Sequence, residues 1–228
     1  MIFFRVNLET CKNAVGAVIV IDVLRAFSTA AYAFSLGAED ILLVSSVEEA
    51  FQLKNINPEL LLMGEVDGLP IPGFDFGNSP PQFEGLNLAG KHLIQRTTSG
   101  TQGVVRSQKA DLLYAASFCN AFATAQQIAS LSTPEVTFVI TGLRPGGWGD
   151  EDLACADYLE ALIKGKKPDP ANYLQRVKAS LTGKMFQDPK LPDFSIQDLD
   201  YCLAVNQFNF CMPIYRSDGH LLMNAADL

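Results

Sequence analysis

Asp22 closes the apolar run AVIVI, Glu65 follows LLLMG, and Glu151–Asp152 follows VTFVIT after a glycine-rich turn. Carboxylates at the ends of buried runs offer hard oxygen ligands, which suit Mg²⁺ better than zinc. Asp22, Glu65 and Asp152 are therefore the expected metal ligands. The two histidines, His92 and His220, lack zinc-ligand spacing. A second group of residues lies in QRTTSGTQG (95–103), directly after the apolar run HLI. Thr97, Thr98, Ser99, Gly100 and Thr101 would bring hydroxyls, free backbone N–H groups and a helix start to one place, a combination suited to a phosphate or sulfonate. Gly100 would let the backbone approach the anion closely. Simple helix capping by Ser99 or Thr101 is the competing reading, and both stand.

Arg25 and Arg96 are rare cations at strand ends, and a guanidinium fork grips a tetrahedral oxyanion with two parallel hydrogen bonds. Ser117 and Asn120, after LLYAA, are further candidate donors, with capping again the alternative. Asp22 has rival roles as a helix N-cap or a covalent nucleophile. Aspartate-dependent phosphatases place a second Asp two residues after the nucleophile, where this chain has Leu24. The metal-ligand reading of Asp22 is favoured on that ground. Other chemistries drop out: there is no Cys-x₅-Arg, no G-x-S-x-G elbow, no G-x-G-x-x-G fingerprint and no P-loop.

The elements that must position these groups follow from periodicity. Buried strands are expected at 17–21, 40–44, 60–64, 92–97, 112–116 and 136–141. Helices are expected at 25–37, 45–53, about 102–108, 121–131 and 151–165. Ser46 with Glu49 has capping-box spacing. The alternation predicts an α/β fold, a three-layer α/β/α sandwich around a largely parallel, mixed sheet. In such sheets ligands bind beyond the carboxyl ends of the strands, which is where the candidate residues cluster. The stretch EVDGLPIPGFDFGNSPPQFEG (65–85) is too rich in glycine and proline for a helix or central strand and reads as a functional loop. One domain spans 1–228, with 166–228 a helical C-terminal elaboration and FCMPIY a late strand.

The chain has 228 residues, 48% of them hydrophobic, enough for a large core, and a net charge of −8 with no basic block. That balance argues against a nucleic-acid partner. No run approaches the roughly 20 apolar residues of a membrane span. The N-terminus lacks signal-peptide features. Five cysteines without a C-x-x-C pair point to a reduced, cytoplasmic protein with no cysteine metal site.

Taken together, VIVIDVLRAFST (18–29), GEVDGLPIPGFDFGNSP (64–80), RTTSGTQG (96–103), ASFCNA (116–121) and EDLACADY (151–158) resemble the 2-phosphosulfolactate phosphatase family, in the family's order. The resemblance implies a magnesium-dependent phosphatase that removes phosphate from 2-phospho-3-sulfolactate. In that reading Asp22, Arg25, Arg96 and Asp75 are catalytic, while Asn78 and Ser79 join the hydroxyl cluster, Ser117 and Asn120 in substrate binding. The partner is a small anionic phosphorylated substrate, with no nucleic acid and no membrane; a homodimer is left open. Ser99 stands where the family commonly has Asn, and LRPGGWGD (143–150) is longer and richer in glycine than the family pattern. These departures motivate an alternative, a catalytically altered anion-binding or regulatory protein of the same fold.

Overall fold

The computed structural model describes residues 1–227. Its strands are β1 Ile2–Val6, β2 Ala17–Ile21, β3 Asp40–Leu43, β4 Leu61–Val66, β5 Leu69–Pro70, β6 His92–Arg96, β7 Leu112–Ala116, β8 Glu135–Ile140, β9 Phe210–Ser217, β10 His220–Met223 and β11 Ala226–Asp227. Its helices are α1 Ala26–Ser35, α2 Val47–Ile56, α3 Gly100–Arg106, α4 Ala121–Ser130, α5 Asp150–Ile163, α6 Ala171–Ala179, α7 Leu181–Met185 and α8 Ile196–Cys202. The fold is α/β, with helices on both faces of a mixed, mostly parallel sheet.

The sheet order is β1-β8-β2-β7-β9-β10-β3-β6-β4-β5, with β11 on β9. One parallel block, β1-β8-β2-β7, joins a second, β3-β6-β4, through the antiparallel hairpin β9-β10. Alternate residues of each block face different helices. Val18 and Val20 share a core with Phe27 and Ala30 of α1 and with Leu43, Met63 and Leu93 of the second block. Ile19 and Ile21 point the other way, toward α4 and α5, and Leu62 and Ile94 pack against Ala50 of α2. Each block is thus an α/β/α layer set, and the two share α1 and α3. All of β2 is buried, as strands covered on both faces must be.

This topology explains how distant strand ends meet. Five strand-to-strand steps separate β2 from β6. A twist of about 20–25° per step rotates the second block by roughly 100–125°. The blocks begin opposed in direction, so the twist swings the carboxyl ends of β4 and β6 toward that of β2.

Three expectations need correction. Residues 166–228 are not a helical elaboration on one domain's flank: the expected late strand FCMPIY is β9, and with the unexpected β10 it lies in the middle of the sheet. Pro213 in β9 hides this, since proline argues against a central strand. Its carbonyl accepts from the Asn224 amide (3.1 Å), and N and O of one residue point the same way in an antiparallel strand. The missing donor therefore faces the end of β10, where the ladder has already stopped. Second, Glu65 lies inside β4 rather than at its end, because the strand continues into a hairpin with β5. The hairpin turns on Asp67 (φ 52°) and Gly68 (φ 83°), an Asp-Gly pair of the kind that favours tight hairpins. Third, the edge strand β1 was unforeseen. No helix is long and apolar enough to cross a membrane among the described residues.

Candidate active site

Asp22 leaves the end of β2 just before α1. Its Oδ1 accepts the Ala26 amide (3.0 Å), the first of α1, although the N-cap position itself is Arg25. Its Oδ2 lies 3.4 Å from the Thr141 hydroxyl. An added Cβ on Gly100 would sit 2.7 Å from Ala26 Cβ and 2.9 Å from Asp22 Oδ2. Gly100 is therefore a glycine because α3 begins directly against this carboxylate. Gly100→Ala is expected to cost ~1–3 kcal/mol through overpacking and to displace Asp22. Urea unfolding with a parallel activity assay checks this; wild-type values in both would refute it.

Glu65 is a clamp. Its Oε1 accepts the Thr98 amide (2.5 Å), and Oε2 accepts the Thr98 hydroxyl (3.0 Å) and the Gly68 amide (2.6 Å). The Thr98 hydroxyl in turn accepts the Asp67 amide (2.7 Å). One carboxylate thus ties the β4-β5 turn to the segment entering α3. Arg96 supports it from behind, donating Nη1 to the Glu65 carbonyl (2.8 Å).

At the start of α5, Asp152 Oδ1 accepts the Val23 amide (2.8 Å). Its Oδ2 accepts the Gly142 amide (2.8 Å) and the Thr141 hydroxyl (3.1 Å). Glu151 Oε1 accepts the Thr182 hydroxyl (2.8 Å), while Oε2 is buried with no partner among the described residues. Burial pushes Asp22 up to about 7 from its ordinary 3.8; the Ala26 amide opposes this, and the charges of Glu65 and Glu151 add to it. Burial, then the charges of Glu151 and Asp22, likewise raises Asp152 well above the carboxylate range.

These groups line one cavity of about 220 Å³, which also takes in Asn78, Ser99, Arg144, Trp148, Phe186 and Phe194. Asp22, Glu65, Asp152, Thr98, Ser99 and Asn78 are thus brought together as the sequence reading placed them. Arg25 lines the cavity but is already engaged. Nη1 donates to Asp198 Oδ2 (2.9 Å) and the Asp193 carbonyl (3.0 Å), and Nη2 to the Gly68 carbonyl (3.0 Å). Its guanidinium also sits against the Phe186 and Phe194 rings.

Several other candidates lie elsewhere. Arg96 does not line the cavity; its Nη1 donates to the Glu65 carbonyl, and its Nε is buried without a partner among the described residues. Asp75 accepts the Leu62 amide (2.8 Å) and Lys54 Nζ (2.5 Å), pinning the loop to β4 and α2. Thr97 and Thr101 bond each other's backbone, Thr101 Oγ1 accepting the Thr97 amide (2.8 Å) and Thr97 Oγ1 the Thr101 amide (3.0 Å). Ser117 and Asn120 form a capping box, so capping is the use the fold makes of them. Ser79 donates to Asp198 (2.6 Å). Thr141, Arg144, Trp148 and Asp198 were given no role from sequence, and Glu151 was grouped with Asp152 but not taken as a ligand. The strand-end rule could have found Thr141, at the end of β8; nothing local marks Asp198.

The donor chemistry suits a hard divalent cation: Glu151 Oε2 is orphaned, Asp22 Oδ2 has only a long contact, and Asn78 Oδ1 is also buried without a partner. Among the described residues, however, no three Asp, Glu, His or Cys side chains already form a metal-ligand cluster. The fit is therefore one of donor type and spare acceptor capacity.

Comparison with known proteins decides the family. The family described as 2-phosphosulpholactate phosphatase matches residues 4–217. A probable 2-phosphosulfolactate phosphatase of Bacillus subtilis (strain 168) is 39% identical, over 89% of this chain and 88% of the relative. The chain belongs to the 2-phosphosulfolactate phosphatase family. A relative of the same name from Carboxydothermus hydrogenoformans is 34% identical over 96% of this chain and 95% of its own length. One from Thermoplasma acidophilum is 27% identical over 90% and 88%. Membership in this family of phosphatases places the chain among the phosphoric monoester hydrolases.

Proposed function

We propose that the protein is a magnesium-dependent phosphatase acting on a small anionic phosphate ester, with 2-phosphosulfolactate, the substrate in its relatives' names, the first choice. The observation that supports this best is a single small cavity where Asp22, Glu151 and Asp152 face Ser99 and Asn78, with Thr98 held beside them by Glu65. Five carboxylates line it, counting Glu65 and Asp67, against two guanidiniums. One of these, Arg25, is neutralised by Asp198. An anionic ester entering this cavity needs a further positive charge.

Asp22, Glu151 and Asp152 would hold magnesium, with Glu65 beside them. The ion would neutralise the phosphate and orient water for in-line attack. The chain's own contribution is positioning. Glu65 fixes Thr98, and through it the entry to α3, so that Ser99 is presented to the cavity free of any side-chain capping bond. Donors held in this way meet the phosphate oxygens without reorganising as charge moves. Asn78, at the junction with an adjoining cavity walled by Arg25 and Ser79, holds the substrate's carbon skeleton.

Phosphate release from a panel of small phosphate esters, with Mg²⁺ or with EDTA, tests the reading. Release is expected only with Mg²⁺, fastest for esters carrying a second anionic group. No release from any ester, with anion binding retained, would instead identify an anion-binding or regulatory protein of this fold.

A further inference from the structure

Among the described residues, Arg144 is the one cavity-lining cation that the fold does not consume. Arg25 is saturated by Asp198 and two carbonyls. Arg144 makes no side-chain hydrogen bond or salt bridge to any described residue and is exposed at the cavity mouth. It is nevertheless held. Its guanidinium carbon lies 4.5 Å from the centroid of the Trp148 ring. The two residues are also joined by an antiparallel backbone bridge across a turn with Gly146 (φ 93°) and Gly147 (φ 85°). Only residues tolerant of positive φ close so tight a turn without strain. A guanidinium resting on an aromatic face keeps its in-plane N–H fork available, and that fork matches two oxygens of one anion.

Resting on the phosphatase reading above, we infer that Arg144, braced by Trp148, is the specificity residue that grips the anionic group not transferred in the reaction, the sulfonate or carboxylate of the ester. The placement separates labour. The reacting phosphate sits among the buried carboxylates and beside Ser99, while the non-reacting end reaches the exposed rim. A monoanionic tail offers Arg144 a bidentate partner; an uncharged tail offers it nothing. The glycine-rich stretch 143–150 is the segment that builds this grip.

Trp148 is the chain's single tryptophan, so its fluorescence reports on the rim directly. Sulfolactate, which carries the sulfonate and carboxylate but no phosphate, is titrated into the wild-type protein and Arg144→Ala. A fluorescence change in the wild type is expected, with the dissociation constant raised about 10–100-fold in Arg144→Ala, the range for losing a charge-assisted bidentate contact. In parallel, kcat/KM is measured for 2-phosphosulfolactate, 2-phospholactate and phenyl phosphate. The preference for 2-phosphosulfolactate over phenyl phosphate is expected to fall by a similar factor, through KM, and Arg144→Lys to recover only part of it. The 2-phospholactate arm tells sulfonate from carboxylate: a loss shared by both acids assigns the carboxylate. Equal sulfolactate affinity in wild type and Arg144→Ala, or no wild-type binding, overturns the inference. Arg144-dependent binding with no phosphate release from any ester would overturn the phosphatase reading while keeping Arg144 as the residue that grips the anion.

Discussion

Asp22→Asn is expected to reduce Mg²⁺-dependent phosphate release at least ~10²-fold, the scale of losing one group that stabilises transition-state charge, while making the fold more stable at neutral pH. The two effects share a cause. Burial among Glu65 and Glu151 raises Asp22 from 3.8 to about 7, so the folded chain binds more protons than the unfolded chain between these values. Stability accordingly falls as pH rises from about 4 to about 7 and levels off above. Asp152, raised in the same direction by burial, Glu151 and Asp22, adds to the trend; the carboxylates titrate as a coupled set. Asparagine keeps the acceptor for the Ala26 amide but carries no charge. Melting temperatures across pH 4.5–8 should therefore slope downward in the wild type, less steeply in Asp22→Asn, and less steeply in wild type with Mg²⁺. A flat wild-type profile, or full activity in Asp22→Asn, would defeat the assignment.

Asp198→Ala is expected to be the most damaging single change to stability, by ~3–5 kcal/mol, because it leaves the Arg25 guanidinium buried without its counter-charge. Arg25 and Asp198 are both almost fully buried, with N–O 2.9 Å. Asp198 also accepts from the hydroxyls of Ser79 (2.6 Å) and Ser195 (3.2 Å). The pair ties α1, the proline-rich loop and α8 together beneath the cavity, so activity should fall with stability. In urea melts the double change Arg25→Met/Asp198→Leu should recover most of the loss, since removing both partners leaves no buried charge. A single variant within ~1 kcal/mol of wild type would show that the pair is solvated.

These two residues also mark how far the sequence could be read. Asp22 was legible because its signal is local: a carboxylate directly after a run of apolar residues; that Gly100 packs against it was visible only in the structure. Glu65, Thr98 and Ser99 were legible for the same reason, as was the alternation of strands and helices. Arg25 was found but not the pairing that engages it, since its partner Asp198 lies 173 residues away with no local mark. The same holds for Arg96, which buttresses Glu65, and for Asp75, which meets Lys54. Composition reveals that a polar group needs a partner; it does not reveal which partner the fold supplies.

The sequence by itself determined the α/β alternation, the buried strands and the family's motifs, because hydrophobic period and turn chemistry act over a few residues. Only the tertiary structure decided that two opposed parallel blocks, joined by a late hairpin and turned by accumulated strand twist, bring Asp22, Glu65 and Asp152 to one cavity. It also decided which arginine remains free there, because long-range pairing consumes some charges and spares others.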